Sequence, residues 1–319
     1  MSFELPPKQS GPSAWMGSDL ADDDSWVWQL TESEIRSVLG RRMDSAVLEK
    51  VQGLRSELID GRGFRLIRGL PVADLSVDEV GALFSWFGSL IGSTRSQNAA
   101  GDLLGHVRNV GADADDPTAR IYQTDRRQTF HTDSCDVVGL MCVETAESGG
   151  DSLLVSAATI YNRMLETNPE LTAVLFQPVA TDRRGEVPPG ERGFFTIPVL
   201  NWFEQKLTVL YQRQYIESAS RFRYAPVLTD EVIAALDLFD SIANDPQIYL
   251  PMTLEVGDMQ FVHNHSLLHD RTGFIDKPGS PRHLLRLWLT VPGDRALPEV
   301  FAQRYGSVEV GNRGGIHVG

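Results

Sequence analysis

The chain has 319 residues, 42% of them apolar, a composition that supports a substantial buried core and excludes a disordered protein. Its 43 acidic against 29 basic residues give a formal net charge of −14, which argues against nucleic acid or an anionic membrane surface as main partner, since both require clustered positive charge. A small-molecule partner fits better, and the absence of a leader pattern, of a bilayer-length apolar run and of a disulfide framework (the two cysteines are Cys135 and Cys142) makes the reduced cytoplasm the expected location.

After an arm bearing Pro and Gly, the stretch from Leu30 to Phe64 opens on Thr31-Glu32-Ser33-Glu34 and then spaces apolar residues at helical intervals. Thr three residues before Glu is a capping box, so helices are expected first. "FRLIRGLPV" reads as a strand, and "SVDEVGALFSWFGSLIG" as an amphipathic helix capped by Ser76. From about Ile121 the chain breaks into short β-rich runs: "VGLMCVET", "DSLLVSA", "GFFTIPVL", "KLTVLYQRQY", "QIYLPMTLEV", "DMQFVHN" and "RHLLRLWLTV". Gly, Pro and Asp turns separate them, the pattern of a barrel or jelly roll. Two helices interrupt the runs, "AATIYNRMLETNPEL" and "LTDEVIAALDLFDSIAND", without the regular alternation of a doubly wound parallel sheet. The expectation is one domain over residues 1–319, mainly β with flanking helices, with a mainly helical part at 1–95 and a jelly-roll core at 96–319. The charged loop at 181–193, "TDRRGEVPPGERG", is rich in Gly and Pro and suits a lid.

The chemistry concentrates in "FHTDSCD". On an extended segment His131 and Asp133 point to the same side, so an imidazole and a carboxylate can share one metal ion. A third ligand would come from "GDMQFVHNHSLLHDR", where His263, His265 and His269 have the same parity and periodicity cannot choose among them. Two His and one carboxylate with open positions is the donor set of non-haem Fe(II) oxygenases, whereas closed zinc sites favour four Cys or His ligands. In "RHLLRLWL", Arg282, Leu284, Arg286 and Trp288 share one strand face and His283, Leu285, Leu287 and Leu289 the other. A strand apolar on both faces is covered on both sides, and a buried guanidinium needs an anion. Arg282 and Arg286 are therefore candidates to grip a dicarboxylate and a second anion, or else to form internal salt bridges.

Taken in order, "FHTD", "SGGDS", "GDMQFVHNHSLLHDRTGF" and "RHLLRLWL" resemble the Fe(II)- and 2-oxoglutarate-dependent dioxygenases of the TauD/TfdA type, over most of the chain from about Gly11. The resemblance implies a double-stranded β-helix of the clavaminate synthase-like kind. It places the metal ligands on His131, Asp133 and His269, the last lying eleven residues after Asp258. It places the far carboxylate of 2-oxoglutarate on Ser152 and Arg282, and the primary substrate near Arg286. It implies Fe(II), 2-oxoglutarate and O2 as cofactor and cosubstrates, with succinate and CO2 released and hydroxylation of an unactivated C–H bond as the default outcome. Asp133 argues against halogenation, because halogenating relatives lack that carboxylate.

Further candidates for the substrate pocket are His106, in "LLGHVRN", and Arg213 and Tyr215, which share parity if "KLTVLYQRQY" is one strand. Asn264 is expected to hydrogen-bond within the turn at the site, and His263 and His265 to play supporting roles. Two other readings use the same ligands: a non-catalytic metal-binding jelly roll, and a zinc hydrolase in which Ser152 and Arg282 are incidental. A homo-oligomer stays open.

Overall fold

The computed structural model describes residues 4–113 and 120–316. Its larger sheet follows the path Val27–Gln29, Phe64–Arg68, Met259–His263, Val137–Glu144, His283–Thr290 and Ser93–Arg95, and Leu104–Val107 also pairs with His283–Thr290. The first pair is parallel and the others antiparallel. A second, antiparallel sheet runs Leu250–Met252, Ser152–Ser156, Leu267–Arg271 and Gln128–His131. The two sheets face each other: Leu154, Leu250, Met252 and Leu267 of the smaller pack on Phe64, Leu66, Val107, Val262 and Leu284 of the larger. Strands distant in sequence thus lie side by side in two facing sheets, which is a jelly roll.

Helices cover both outer faces. Glu32–Leu39, Ser45–Ile59 and Val77–Ile91 lie over the larger sheet, and Ala157–Thr167 with Asp230–Ala243 over the smaller. The starts read from the sequence are present, because Thr31 with Glu34, and Ser76 with Glu79, each form a capping box. The alternation in "RHLLRLWL" is also present. Leu285, Leu287 and Leu289 sink into the layer of Phe84 and Phe87, each fully buried side chain contributing about 1.5–3 kcal/mol. Leu284, Arg286 and Trp288 turn inward between the sheets.

The strand read in "FRLIRGLPV" is present as Phe64–Arg68, and with Val27–Gln29 beside it extends the larger sheet. One reading needs correction. The run "KLTVLYQRQY" is not one strand: Lys206–Val209 pairs with Leu200–Phe203, and Arg213–Ser218 is a helix. Within 181–193 the flanks are ordered as a hairpin, Pro178–Asp182 against Phe194–Pro198, which brings Thr181, Asp182 and Phe195 to a pocket wall.

Candidate active site

His131 ends one strand of the smaller sheet and His269 lies directly opposite on its antiparallel neighbour, so register alone brings the two rings to a centroid separation of 4.2 Å. Asp133 follows in the turn after His131. One atom from each of His131, Asp133 and His269 lies within 4.8 Å of the others, close enough to hold one metal ion. The His269 Nε2 to Asp133 Oδ2 separation is 3.7 Å.

Neighbours orient the group. His131 Nδ1 donates to the Thr129 carbonyl at 2.8 Å, which leaves Nε2 as the lone-pair nitrogen. The Gln128 amide donates to that Nε2 at 2.8 Å. Asp133 Oδ2 accepts from Trp288 Nε1 at 2.9 Å and from Arg286 Nη1 at 3.4 Å, while the Asp133 backbone N–H donates to Asn264 Oδ1 at 3.1 Å. Burial, then the neighbouring His269, pushes His131 down to about 3, so it is neutral and free to ligate at any physiological pH. Burial alone would raise the Asp133 carboxyl, but the guanidinium of Arg286 and the two imidazoles hold it well below the usual carboxylate range.

Between the sheets, beside His131 and His269, lies a pocket lined by Ser152, Leu254, Arg271, Arg282, Leu284 and Arg286 among others. Arg282 is 4% exposed and donates Nη2 to the Gly150 carbonyl at 3.0 Å, yet its buried Nη1 has no hydrogen-bond partner among the described residues. Burial depresses this guanidinium below its ordinary value, the mark of a cation short of a counter-ion. A carboxylate of the cosubstrate fits that vacancy in the hydrogen bonding, since a free N–H fork is what a carboxylate engages. Ser152 Oγ stands in the same pocket, bonded to the Gln260 amide at 2.9 Å.

A second pocket, of about 620 Å³ including its mouth, opens on the other side of the triad. Arg120, Tyr215, Arg286, Trp288 and Arg304 contribute to its walls together with His131 and Asp133. Arg286 belongs to both pockets and is held internally by Asp133 and by Gln97, whose Oε1 accepts from Nε at 2.7 Å.

The structure brings together His131, Asp133, His269, Ser152, Arg282, Arg286 and Tyr215, and leaves out two candidates. Arg213 lines neither pocket; on its helix it pairs with Glu217, Asp237 and Asp240. His106 points outward from its strand, Nδ1 lying 2.9 Å from His283 Nε2, while the next residue, Val107, faces the pocket. His263 and His265 lie in a separate, fully buried network with Asp136, Asp294 and Arg313. Gln128, Trp288, Arg120 and Arg304 were not named as site residues from the sequence. Strand parity with Arg286 points to Trp288; no local signal marks the other three.

Two histidines and a carboxylate converging at the rim of a jelly roll are the donor set of the non-haem Fe(II) oxygenases. Comparison with known proteins supplies the family: residues 40–288 match the model described as taurine catabolism dioxygenase TauD, TfdA family, and the chain belongs to that family of Fe(II)- and 2-oxoglutarate-dependent oxygenases. It is 29% identical over 312 residues to FR-33289 synthase of Streptomyces rubellomurinus, covering 91% of this chain and 92% of that protein. It is 27% identical over 316 residues to the taurine hydroxylase-like protein SAT17 of Stachybotrys chartarum, covering 90% and 80%. It is also 27% identical over 176 residues to a uridine-5'-phosphate dioxygenase of a Streptomyces species, covering 52% and 62%. Among solved structures, asparagine oxygenase in complex with Fe(II), 3-hydroxyasparagine and succinate superposes with a TM-score of 0.65 at 15% identity, over 83% of this chain and 93% of that one. The non-heme iron oxygenase OrfP in complex with Fe and alpha-ketoglutaric acid gives 0.62 at 14%, over 82% and 93%, and both share the jelly roll. Among the described residues, no helix is long and apolar enough to cross a membrane.

Proposed function

We propose that the protein hydroxylates an unactivated C–H bond of a small organic molecule, with His131, Asp133 and His269 holding Fe(II). The observation that carries this reading is the convergence of these three ligands beside a buried guanidinium with a free N–H. When bound, the iron with 2-oxoglutarate supplies the oxidising power: one oxygen atom of O2 enters the substrate C–H bond and the other enters succinate, with CO2 released.

The protein's own residues position and exclude. Arg282 and Ser152 fix the far carboxylate of 2-oxoglutarate in the pocket between the sheets. Trp288 and Asn264 hold Asp133 in its orientation from the side chain and the backbone. For His131 Nε2 to hold the ion, Gln128 would have to release its hydrogen bond to that nitrogen. The primary substrate occupies the pocket on the far side of the triad, next to Arg286 and Tyr215. The two pockets would let cosubstrate and substrate approach the group of His131, Asp133 and His269 from different sides, so that the reacting carbon would be placed rather than met by diffusion. The names of two relatives, a taurine hydroxylase-like protein and a uridine-5'-phosphate dioxygenase, both refer to small molecules, which supports a small-molecule substrate here.

The test is succinate formation from 2-oxoglutarate with Fe(II) and O2 over a panel of small molecules, together with oxygenated product by mass spectrometry. His131→Ala, Asp133→Ala and His269→Ala should each abolish iron binding and turnover. Retention of iron affinity in all three would end the reading.

A further inference from the structure

Three guanidinium groups line the substrate pocket, and their counter-ions do not balance. Arg286 faces Asp133. Asp182, the other carboxylate in the wall, is taken by Arg221, whose Nε lies 2.8 Å from its Oδ2, and by Ser218 Oγ at 2.8 Å. That leaves Arg120 and Arg304. Both approach the same carboxylate oxygen, Glu186 Oε2, Arg304 at 3.5 Å and Arg120 in closer contact.

Two guanidinium groups therefore share one carboxylate among the described residues, an excess of one positive charge. The side chains are 17% and 8% exposed, so water screens this charge poorly. Glu186 itself belongs to a neighbouring cleft and not to the pocket wall, so it holds the two arginines from behind while their other edges face the pocket. Their remaining contacts fix them in place. Arg120 Nη1 donates to Tyr215 Oη at 3.1 Å, and Arg304 Nε to Ser134 Oγ at 2.7 Å, one residue beyond Asp133. Among the described residues Arg120 and Arg304 thus give the wall beside the reaction centre a half-buried excess of positive charge, which an anion entering the pocket would balance.

We propose that Arg120 and Arg304 form the subsite that grips an oxyanion group of the primary substrate, so that the substrate class is small molecules with a phosphate-like, sulfonate-like or carboxylate end. The inference rests on the proposed function, in that the pocket is the one beside the metal triad. Glu186 is then a positioning residue that spaces the two forks, and the anionic end is bound on the side of Ser134, which holds the rest of the molecule against Asp133 and His131.

The probe is inorganic phosphate, titrated without O2 into the protein loaded with Fe(II) and 2-oxoglutarate and followed by broadening of the ³¹P line by the paramagnetic ion. Sulfate and acetate compete in separate arms and rank the three oxyanions. The expected result is saturable broadening in wild type, with phosphate affinity at least about tenfold weaker in Arg304→Gln and in Arg120→Gln, since each loses a charge-assisted contact. Iron affinity, measured by competition with a chelator, should be unchanged in both. If Arg304→Gln fails to fold, Arg120→Gln, at the more exposed position, decides alone. Wild-type phosphate affinity in the variants, or no saturable broadening in an iron-loaded wild type, overturns the subsite. Failure of wild type to bind iron would instead overturn the proposed function on which it stands.

Discussion

Trp288 donates its indole N–H to Asp133 Oδ2 at 2.9 Å, which ties the carboxylate of a turn to a strand of the opposite sheet. The same oxygen is the one 3.7 Å from His269 Nε2, so the bond fixes the face that Asp133 turns to the imidazole. Groups that orient a metal ligand commonly matter 10–100-fold in affinity or activity. Trp288→Phe keeps the ring and removes the donor, and it should weaken Fe(II) binding by about tenfold or more, measured by chelator competition. An iron affinity equal to wild type would mean that Arg286 and Asn264 suffice to hold the carboxylate.

Arg282→Ala should weaken 2-oxoglutarate binding by at least about tenfold, because a hydrogen bond to a charged group is worth about 1.5–3 kcal/mol. Ser152→Ala should cost less, since its hydroxyl is already engaged by Gln260. Isothermal titration under anaerobic conditions reads both. Undiminished affinity in Arg282→Ala would shift the anchor to the adjacent Arg271 or Arg286.

Gly150→Ala should reproduce part of that loss from a distance. Gly150 has φ +77°, where an L side chain is strained, and a Cβ there would stand 2.6 Å from Arg282 Nε. The guanidinium must move, and the cosubstrate affinity with it. A variant that folds normally and binds 2-oxoglutarate as tightly as wild type would show that Arg282 tolerates displacement.

His265 is buried and neutral, pushed down to about 4 by burial, with its bond to Asp136 opposing the shift. The unfolded chain takes up this proton near pH 6.5 and the folded chain only near 4, so in that window the unfolded state binds more protons and stability falls as the pH falls. The contribution lost is on the order of 2 kcal/mol. His131, at about 3, acts in the same direction. The metal-free protein should therefore show a lower urea midpoint at pH 5 than at pH 7, and His265→Asn should narrow the difference. Relief of the net negative charge acts on both proteins alike, so the comparison isolates the imidazole. Equal slopes in the two would refute it.

Legibility in the sequence followed the range of the interaction. Capping boxes at Thr31 and Ser76, and the inward parity of Leu284, Arg286 and Trp288, are local and were readable. The pairing of His131 with His269 depends on the register of strands more than a hundred residues apart, which periodicity cannot supply; only the resemblance chose His269 over His263 and His265. The Arg120, Glu186 and Arg304 group comes from three separate segments and left no local trace. The helix at Arg213 was hidden by the β-branched and aromatic run before it, Thr208 to Tyr211, which continues the strand pattern past Val209.

That helix sets up the last prediction. Arg213 and Tyr215 would share a face on a strand, but two residues along a helix turn the direction by about 200°. Accordingly Tyr215 reaches the pocket and bonds Arg120, while Arg213 turns to Glu217, Asp237 and Asp240. The two should separate cleanly in experiment. Arg213→Ala breaks a partly exposed network that includes the half-buried Asp240, so it should cost about 1–2 kcal/mol and lower the melting temperature by a few degrees. With an accepted substrate in hand, its KM and kcat should remain those of wild type. Tyr215→Phe deletes one hydrogen bond in the pocket, worth about 1 kcal/mol, so it should raise KM by about fivefold with little change in melting temperature. The reverse pattern, a substrate effect at Arg213 and none at Tyr215, would mean that the substrate approaches from the helix side and that the pocket beside Asp133 is not where it binds.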